Sequence, residues 1–497
     1  MRDPWFASAT ELAREIRQGR IRAVDLLEMH FARVDRINPS INAIVLQDRE
    51  GARARAAQAD AATARGVRWG PLHGVPVTLK ESNDRAGMPS TWGFPDRRGN
   101  VPGEDALAVS RLEAAGAIIF GKTNVPVALA DFQSYNEVYG VTRNPWNPDR
   151  VPGGSSGGAA AALAAGLTAL EIGSDIGGSI RNPAHFCGIF GHKPTWELLP
   201  SRGHGLGRLQ PTDIAVVGPM ARSAADLELA LRLLAGPDEL AAAGMKADLR
   251  GLDRPLSSLR VAVWADDARA PVAAEVAQRV RKVAGALASA GAEVDEDARP
   301  DFDPSRAHDT YLTLLWAALA GSLADDQFQR QVGRAESLSQ DDVDWGSRML
   351  RAQTLRHRDW LAVDEARTAL RWAWHRFFQR WDVLLMPVMP VAAFPHDHRP
   401  FSQRSLTVDG ERRHYFDCLF WAGLAGASYL PSTVIPTGPG AEGLPIGVQI
   451  VGPGFGDLLT IQLAQQLESR GFTFMPPPEG GAPQAARPSG HQENTGT

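Results

Sequence analysis

Apolar residues near the start of the chain recur at a helical spacing. They predict a helix with one apolar face from Val24 to Val34, and Ser8 with Glu11 forms a capping-box pattern for a shorter helix before it. A short apolar segment at 43–46 predicts a strand. The chain is therefore expected to begin with two helices and a strand.

Between residues 70 and 200, short β-type segments alternate with helical ones. The β-type segments cover 75–79, 117–120 and 168–172, and a helix is predicted over 106–115. Alternation of this kind is typical of an α/β layered fold.

The second half of the chain continues the alternation and then becomes helical. Residues 259–264, 272–290 and 292–295 predict a strand, a helix and a strand, and residues 305–381 predict helices. The helical segment contains Trp316, Trp345, Trp360, Trp372, Trp374 and Trp381. Most of these tryptophans are expected to pack in helix cores rather than to line a pocket. Strands are expected again at 383–386 and 446–450.

The fold class that follows is α/β, as one large α/β/α layered domain around a twisted, mostly parallel mixed β-sheet. Its 497 residues would by length alone suggest several domains, since domains average roughly 100–150 residues. However, the sequence contains no linker and no internal repeat. We therefore expect one domain over residues 1–475. Residues 476–497 are rich in Pro and Gly and are expected to form a disordered tail.

Composition and charge narrow the functional classes. Hydrophobic residues at 44% and charged residues at 22% are typical of a globular chain. The net charge of −5 provides no electrostatic basis for a nucleic-acid or acidic-membrane partner. The two cysteines, Cys187 and Cys418, are compatible with a reducing compartment. Without a signal-peptide pattern or a membrane-spanning stretch, the sequence predicts a soluble cytoplasmic protein.

Three matches to short motifs fail in their context. Residues 116–123 fit the nucleotide-binding pattern GxxxxGK[ST], but 117–120 within it are themselves β-type, where a phosphate loop needs flexible residues. Residues 438–443 fit GxGxxG but precede a strand pattern and are expected to form a hairpin loop. Residues 153–157 fit GxSxG, but the proline-rich 144–152 cannot be the strand that a nucleophile elbow requires.

We predict no metal site and no cofactor. The histidines form no HExxH arrangement and the cysteines no CxxC arrangement. His185, His192 and His204 lie near the glycine-rich region and are expected to be structural histidines with satisfied hydrogen bonds.

Serine and glycine cluster at two places that point to acyl chemistry. These are residues 152–158 and 173–181. Because glycine lacks a Cβ atom, such a backbone can turn several N–H groups toward one developing oxyanion. The candidate donors are the amides of Ile176, Gly177, Gly178 and Ser179. The Ser179 hydroxyl would attack from the same loop.

A serine hydroxyl needs a base before it becomes a good nucleophile. Lys80 ends the apolar segment 75–79, and desolvation there would lower its pKa toward a neutral, proton-accepting amine. An exposed lysine at a strand end is the commoner situation. The joint occurrence of this lysine with both serine-glycine clusters favours the catalytic interpretation.

The combination resembles the amidase signature family. The residues that carry the resemblance are Gly-Gly-Ser-Ser-Gly-Gly at 153–158, Gly-Gly-Ser-Ile-Arg at 177–181, Phe186–Gly188, Lys193–Thr195 and Lys80. Further elements similar to those of the family occur at 121–124, 144–146, 218–222 and 444–450. The similarity extends over roughly residues 8–470.

The resemblance implies a role for each matching residue. Ser179 would be the acyl-forming nucleophile, Ser155 a bridging serine on a cis peptide, and Lys80 the base. Asp175 and Arg181 would brace the glycine loop, and Ser156 would support the triad. Near the substrate, the resemblance places Leu129 and Asp131, to which we add the neighbouring Phe132.

The function predicted from the sequence is a cofactor-independent amidase acting on a small carboxamide. Aryl and aliphatic amides, carbamates and some esters remain open, and a homodimer is compatible with the resemblance. An alternative is the glutamine-hydrolysing A subunit of a tRNA-dependent amidotransferase. Phe132, Tyr135 and the tryptophan-rich segment suggest a more apolar pocket than glutamine needs. A non-catalytic binding protein would not require Lys80, Ser155 and Ser179 together.

Overall fold

The computed structural model of the protein describes residues 4–478. The predicted tail lies outside the described residues except for 476–478, which have no regular secondary structure. Within the described range, no helix has the length and apolar character needed to cross a membrane.

Helices account for much of the chain. They are α1 (Ala9–Arg17), α2 (Ala23–Ile41), α3 (Arg49–Ala64), α4 (Leu107–Ala114), α5 (Gly157–Ala164), α6 (Arg181–Cys187), α7 (Ala224–Leu234), α8 (Ala274–Ser289), α9 (Pro304–Ala320), α10 (Asp325–Glu336), α11 (Trp345–Gln353), α12 (His357–Arg380), α13 (Leu419–Gly426) and α14 (Asp457–Glu468). The predicted capping box is present at α1, where Ser8 and Glu11 bond reciprocally.

Short strands lie between the helices. They are β1 (Ile44–Gln47), β2 (Pro76–Lys80), β3 (Ile118–Thr123), β4 (Tyr135–Asn136), β5 (Gly140–Val141), β6 (Leu170–Asp175), β7 (Phe190–Lys193), β8 (Val216–Ala221), β9 (Arg260–Val263), β10 (Glu293–Asp295), β11 (Val383–Pro387), β12 (Ser405–Val408), β13 (Glu411–His414), β14 (Ser432–Pro439) and β15 (Pro445–Val451).

The large central sheet confirms the α/β class and the mixed strand directions. Among the described residues its strand order is β10-β9-β11-β15-β14-β7-β8-β6. Strand β9 pairs in parallel with both of its neighbours, whereas the other five pairs are antiparallel. The pairing directions refine the expectation of a mostly parallel sheet. The short loop 440–444 allows β14 and β15 to pair only in antiparallel fashion, whereas the parallel pair β9–β10 is joined by a crossover through α8.

Strands from both halves of the chain meet in this sheet, and β2 is held beside it. Strand β2 belongs to a smaller sheet of order β1-β3-β2. It is tied to the segment around β6 by the Thr78 N–H, which donates to Thr168 Oγ1 at 3.0 Å, and by Asn83 Nδ2, which donates to the Ile172 carbonyl at 3.1 Å. The end of β2 at Lys80 is thereby fixed against the end of β6.

The structure confirms that the three short motif matches lack the structural context that each motif needs to function. Residues 118–123 of the nucleotide-loop pattern are strand β3. Residues 440–444 connect the antiparallel strands β14 and β15. In the described chain, residues 142–152, which lead into the GxSxG pattern at 153–157, contain no strand. The three segments therefore do not form a phosphate-binding loop, a dinucleotide-binding loop or a nucleophile elbow.

Helix α5 is buried along its whole length. Its sequence consists of glycine and alanine except for Leu163, so neighbouring elements approach it closely. It starts directly after the serine loop and therefore fixes where that loop lies. The tight packing leaves no room for larger side chains.

We predict that Ala160→Leu destabilises the protein by roughly 1–3 kcal/mol, since overpacking a buried position forces neighbours off their rotamers. Ala160 has no exposed surface. The measurement is the urea midpoint of unfolding. The matched control is Ala57→Leu on the exposed face of α3, which should change the midpoint little. Equal effects of the two substitutions would contradict the packing argument.

Candidate active site

The two serine-glycine loops lie against each other and are held by one asparagine. Strand β6 ends at Asp175, and α6 begins at Arg181, so residues 176–180 form a short connecting loop. Asn182 Oδ1 accepts the Gly154 N–H at 3.0 Å. Its Nδ2 donates to the Gly178 carbonyl at 2.9 Å and also to the Gly154 carbonyl. Asn182 was not among the residues predicted from the sequence, although it directly follows the Gly-Gly-Ser-Ile-Arg motif.

Both loops require glycine at particular positions. A Cβ atom on Gly154 would lie well inside van der Waals distance of the Asp131 and Gln133 carbonyl oxygens. Gly178 has a φ of 103°, in the region that favours glycine. The Gly154-Ser155 peptide is cis, in agreement with the expectation for Ser155.

A buried ion pair braces the loop that carries Ser179. Arg181 Nη2 lies 2.9 Å from Asp175 Oδ1, with both side chains almost fully buried. The Asp175 carboxylate also accepts the backbone N–H groups of Gly178 at 2.9 Å and Ile180 at 3.1 Å. Burial raises the pKa of Asp175, but the Arg181 guanidinium outweighs it and lowers the pKa to about 2. The carboxylate therefore stays charged, as its bracing role requires.

The same loop is anchored to distant elements. Arg181 Nη1 donates to the Ala422 carbonyl of α13 at 3.0 Å and to Gln449 Oε1 of β15 at 3.3 Å. The Tyr311 hydroxyl of α9 donates to the Ile176 carbonyl at 3.0 Å. These contacts link the loop to residues more than 130 positions away.

One expected oxyanion donor needs correction. The Gly178 N–H points at the Asp175 carboxylate, so in this arrangement it is not available to an oxyanion. The amides of Ile176, Gly177 and Ser179 remain the candidate donors. The sequence could not show that the Gly178 N–H is occupied. The same glycine pattern is compatible with a loop whose amides are free to bind an oxyanion and with a loop whose amides bind a neighbouring carboxylate.

Lys80 is fully buried and contacts two serine hydroxyls. Its Nζ donates to Ser155 Oγ at 2.7 Å and to Ser174 Oγ at 2.8 Å. Burial lowers the pKa of Lys80 to about 7, although Asp175 and Glu171 partly oppose the shift. Contact between the predicted Lys80 and Ser155 is thus observed, whereas Ser174 was missed.

Ser156 connects the loop that carries Ser155 to the loop that carries Ser174 and Ser179. Its hydroxyl donates to the Ser174 carbonyl at 3.3 Å and accepts the Ser174 N–H at 3.3 Å. Its own N–H donates to the Ser179 carbonyl at 3.1 Å. These contacts place Ser156 between the two loops, and its supporting role stays a prediction.

Two cavities meet at Ser179. The first, which we call the narrow cavity, has a volume of about 160 Å³ and is also lined by Ser155, Ser174, Trp92 and His204. The second, which we call the wide cavity, has a volume of about 630 Å³. Its lining includes Leu129, Asp131, Phe132, Gly177, Trp316, Trp345, Met349, Phe416 and Leu419. All three predicted substrate-binding residues therefore lie on the wide cavity.

The carboxylate of Asp131 is engaged by the protein itself. Arg404 Nη1 lies 2.7 Å from Asp131 Oδ2, with both side chains 3% exposed. The Tyr415 hydroxyl donates to Asp131 Oδ1 at 2.6 Å. Asp131 thus stabilises the cavity wall rather than presenting a free charge. Neither partner could be predicted, because both are more than 270 residues distant.

The tryptophans of the helical segment divide between core and cavity. Only Trp374 and Trp381 of the six are buried in the core, fewer than the sequence predicts. Trp372 is 59% exposed. Trp316 and Trp345 line the wide cavity. The helical pattern alone could not separate these roles.

The histidines near the loops have structural partners. His185 contacts the carbonyls of Gly447 and Val391, and His192 lies 3.1 Å from Asp457. Of the three, His204 lines the narrow cavity, where its Nε2 lies 3.0 Å from Ser82 Oγ. Among residues 4–478, no group of three or more His, Cys, Asp or Glu side chains is placed to hold a metal ion.

Comparison with known proteins gives a consistent family match. A sequence model of the Amidase family matches residues 25–461. An indoleacetamide hydrolase of Bradyrhizobium diazoefficiens is 32% identical over 476 residues, which cover 94% of this chain and 87% of that protein. The A subunit of the glutamyl-tRNA(Gln) amidotransferase from a Roseiflexus species is 34% identical over 502 residues, which cover 93% of this chain and 97% of that protein.

A solved structure of similar fold supports the same assignment. The 6-aminohexanoate cyclic dimer hydrolase matches with a TM-score of 0.75 and 31% sequence identity. The match covers 94% of this chain and 97% of that chain.

We predict that Arg181→Met lowers the free energy of unfolding by roughly 3–5 kcal/mol, because it leaves the Asp175 carboxylate buried without its counter-ion. Urea unfolding followed by circular dichroism measures the change. Arg330→Met is the control, because its pair with Asp326 is 66% and 69% exposed and should contribute little. A wild-type midpoint for Arg181→Met would contradict the bracing role.

Proposed function

The chain belongs to the amidase family and is an amidohydrolase, and on that premise we propose that it cleaves a small carboxamide through an acyl-enzyme on Ser179. The products are a carboxylic acid and ammonia or an amine. The observation that carries the proposal is the 2.7 Å hydrogen bond from the buried Lys80 amine to Ser155. It joins a low-pKa base to a serine that shares a cavity with Ser179.

In the first step, neutral Lys80 takes the Ser155 proton while Ser155 takes the Ser179 proton. Ser179 Oγ then forms a bond to the amide carbon. Negative charge develops on the carbonyl oxygen, and the amides of Ile176, Gly177 and Ser179 are the proposed donors to it. The transfer requires the two serine hydroxyls to come within hydrogen-bond distance in the substrate complex.

In the second step, the relay runs in reverse. Protonated Lys80 returns its proton to Ser155, and Ser155 delivers its own proton to the leaving nitrogen as the C–N bond breaks. A water molecule then loses its proton through the same relay, attacks the acyl carbon and releases the acid. Ser179 recovers its proton, so that the enzyme returns to its starting state.

The wide cavity favours an uncharged substrate. It is lined mainly by apolar and aromatic side chains, and the lining that the described residues form includes no lysine or arginine. Aryl and aliphatic amides, carbamates and some esters share the required tetrahedral chemistry. The similarity to an indoleacetamide hydrolase supports aromatic amides within this set.

The alternative proposal is glutamine hydrolysis as the A subunit of a tRNA-dependent amidotransferase. It is supported by the 34% identity to a protein of that kind. Glutamine carries an ammonium and a carboxylate group, and burying them requires charged partners. Asp131 on the wide cavity is already paired with Arg404. A glutaminase rate above the rate on neutral amides, or isolation in a stable complex with other chains, would favour this alternative.

The proposal extends to organisation and location. We propose that residues 1–475 form one catalytic domain, which is supported by the sheet that joins strands of both halves. We propose a cytoplasmic enzyme, because its two cysteines are both free and buried, as suits a reducing compartment. The partner is a small amide, and the active unit is compatible with a homodimer.

We predict that Ser179→Ala and Lys80→Met each lower kcat/KM by at least about a thousandfold, because each removes a group on which bond formation depends. Hydrolysis of a neutral primary amide by the purified protein measures the change, and circular dichroism confirms folding.

Two matched variants serve as controls for these substitutions. Ser110→Ala changes an exposed serine on α4. Lys122→Met removes another buried lysine, whose Nζ donates to the Pro89 carbonyl at 2.7 Å and to Ser90 at 2.8 Å. Both should retain hydrolysis in the folded fraction. Wild-type activity in folded Ser179→Ala or Lys80→Met would end the proposal.

We predict that kcat/KM rises with pH and levels off above the Lys80 pKa, which burial lowers to about 7. Only the neutral amine accepts a proton, so the rate should increase about tenfold per pH unit below that value. Initial rates on an uncharged amide from about pH 5 to about pH 9 measure the profile. A flat profile, in the absence of another rate-limiting step, would count against Lys80 as the base.

A further inference from the structure

The two cavities at Ser179 differ in which catalytic side chains they reach. Ser155 lines the narrow cavity and is absent from the lining of the wide cavity within the described chain. Gly177 lines the wide cavity, and Ile176 and Ser179 line both. A substrate whose carbonyl lies at Ser179 can therefore extend into the narrow cavity and into the wide cavity.

The wide cavity has an aromatic corner that is already packed. The rings of Trp345 and Phe416 stack with centroids 4.9 Å apart and an interplanar angle of 11°. Trp316 stands edge-on to both rings, with centroid distances of 6.1 and 6.0 Å. Because these rings hold one another in place, a ligand ring would meet a largely preorganised aromatic surface.

The oxygens of both carboxylates on the wide cavity are already engaged by hydrogen bonds within the protein. Asp131 is paired with Arg404 and accepts from Tyr415. Asp344 caps α11, where its Oδ1 accepts the Gly346 N–H at 2.9 Å and its Oδ2 accepts from the Ser347 hydroxyl. The cavity thus suits an uncharged, ring-containing group.

We propose that the wide cavity binds the acyl side of the substrate as a bulky aromatic acyl group, that the narrow cavity receives the leaving amine, and that Trp316 and Trp345 determine this specificity. The inference rests on the proposed function. As the Ser179 Oγ–carbon bond forms and the C–N bond breaks, the departing nitrogen takes its proton from Ser155. The nitrogen must therefore lie on the Ser155 side, in the narrow cavity.

The volumes agree with this orientation. A cavity of about 150 Å³ holds one benzene ring, so the narrow cavity at about 160 Å³ limits the amine to ammonia or a group no larger than about one such ring. The wide cavity, at about 630 Å³, has room for a fused ring system. The enzyme should therefore prefer amides with a fused ring system on the acyl side over amides that carry the same ring system on nitrogen.

A pair of isomeric amides tests the orientation in the wild-type enzyme. N-methyl-naphthylacetamide carries the naphthylmethyl group on the acyl side, and N-(naphthylmethyl)acetamide carries the same group on nitrogen. We expect kcat/KM for the first to exceed that for the second by roughly tenfold to a hundredfold. A preference for the second isomer would overturn the inference without the use of any variant.

Variants then test the two tryptophans. Trp316→Ala and Trp345→Ala should lower kcat/KM for N-methyl-naphthylacetamide by roughly tenfold or more, mainly through KM, and should spare N-methylacetamide. Trp345→Phe should restore much of the loss, because it keeps an aromatic face. The control is Trp372→Ala, which removes a tryptophan that is 59% exposed. Equal losses on both amides, or an unchanged preference between the isomers, would overturn the role of the tryptophans.

The Ser179→Ala variant separates this inference from the proposed function. If hydrolysis of either isomer depends on Ser179 but N-(naphthylmethyl)acetamide is the preferred isomer, only the orientation fails. If folded Ser179→Ala hydrolyses both isomers at the wild-type rate, the proposed function fails and the orientation argument fails with it.

Discussion

The arrangement around Ser179 depends on one buried ion pair, between Asp175 and Arg181. A glycine loop by itself would be mobile, since glycine gives the backbone more freedom than any other residue. Here the carboxylate holds the Gly178 and Ile180 amides, while the guanidinium reaches α13 and β15. Removing two charges from water is costly, and only the full set of hydrogen bonds makes such a pair tolerable. The geometry of the loop at 176–180 therefore depends on the position of α13 and β15 in the core.

For the buried lysines, loss of contact with water lowers the pKa of the amine. It lowers the pKa of Lys80 to about 7, of Lys193 to about 7 and of Lys122 to about 8. A low pKa alone therefore does not identify a base in this protein. The distinguishing observation is geometric. The amine of Lys193 donates to backbone carbonyls, whereas that of Lys80 donates to two serine hydroxyls beside a cavity.

The fold brings these groups together with small residues. Helix α5 is built of glycine and alanine apart from Leu163, and Gly154 lies too close to neighbouring carbonyls for any side chain. This allows the Ser155 loop, the end of β2 and the end of β6 to meet. Larger side chains of the second half of the chain, among them Trp316 of α9 and Trp345 of α11, then complete the wide cavity, to which Leu129, Asp131 and Phe132 of the first half also contribute. The cavity wall thus combines both halves of the sequence, whereas the catalytic groups come from the first half.

The sequence by itself determined the local features, because they depend on neighbours in the chain. The capping box at Ser8, the strand that ends at Lys80 and the serine-glycine motifs around Ser155 and Ser179 could all be predicted from short segments. Only the tertiary structure decided which groups those features meet. The pairing of Asp131 with Arg404, the engagement of the Gly178 amide and the division of the tryptophans between core and cavity depend on atoms that folding brings together across long separations. The energy of a buried charge or hydrogen bond is set by those surroundings, so no local pattern could have assigned them.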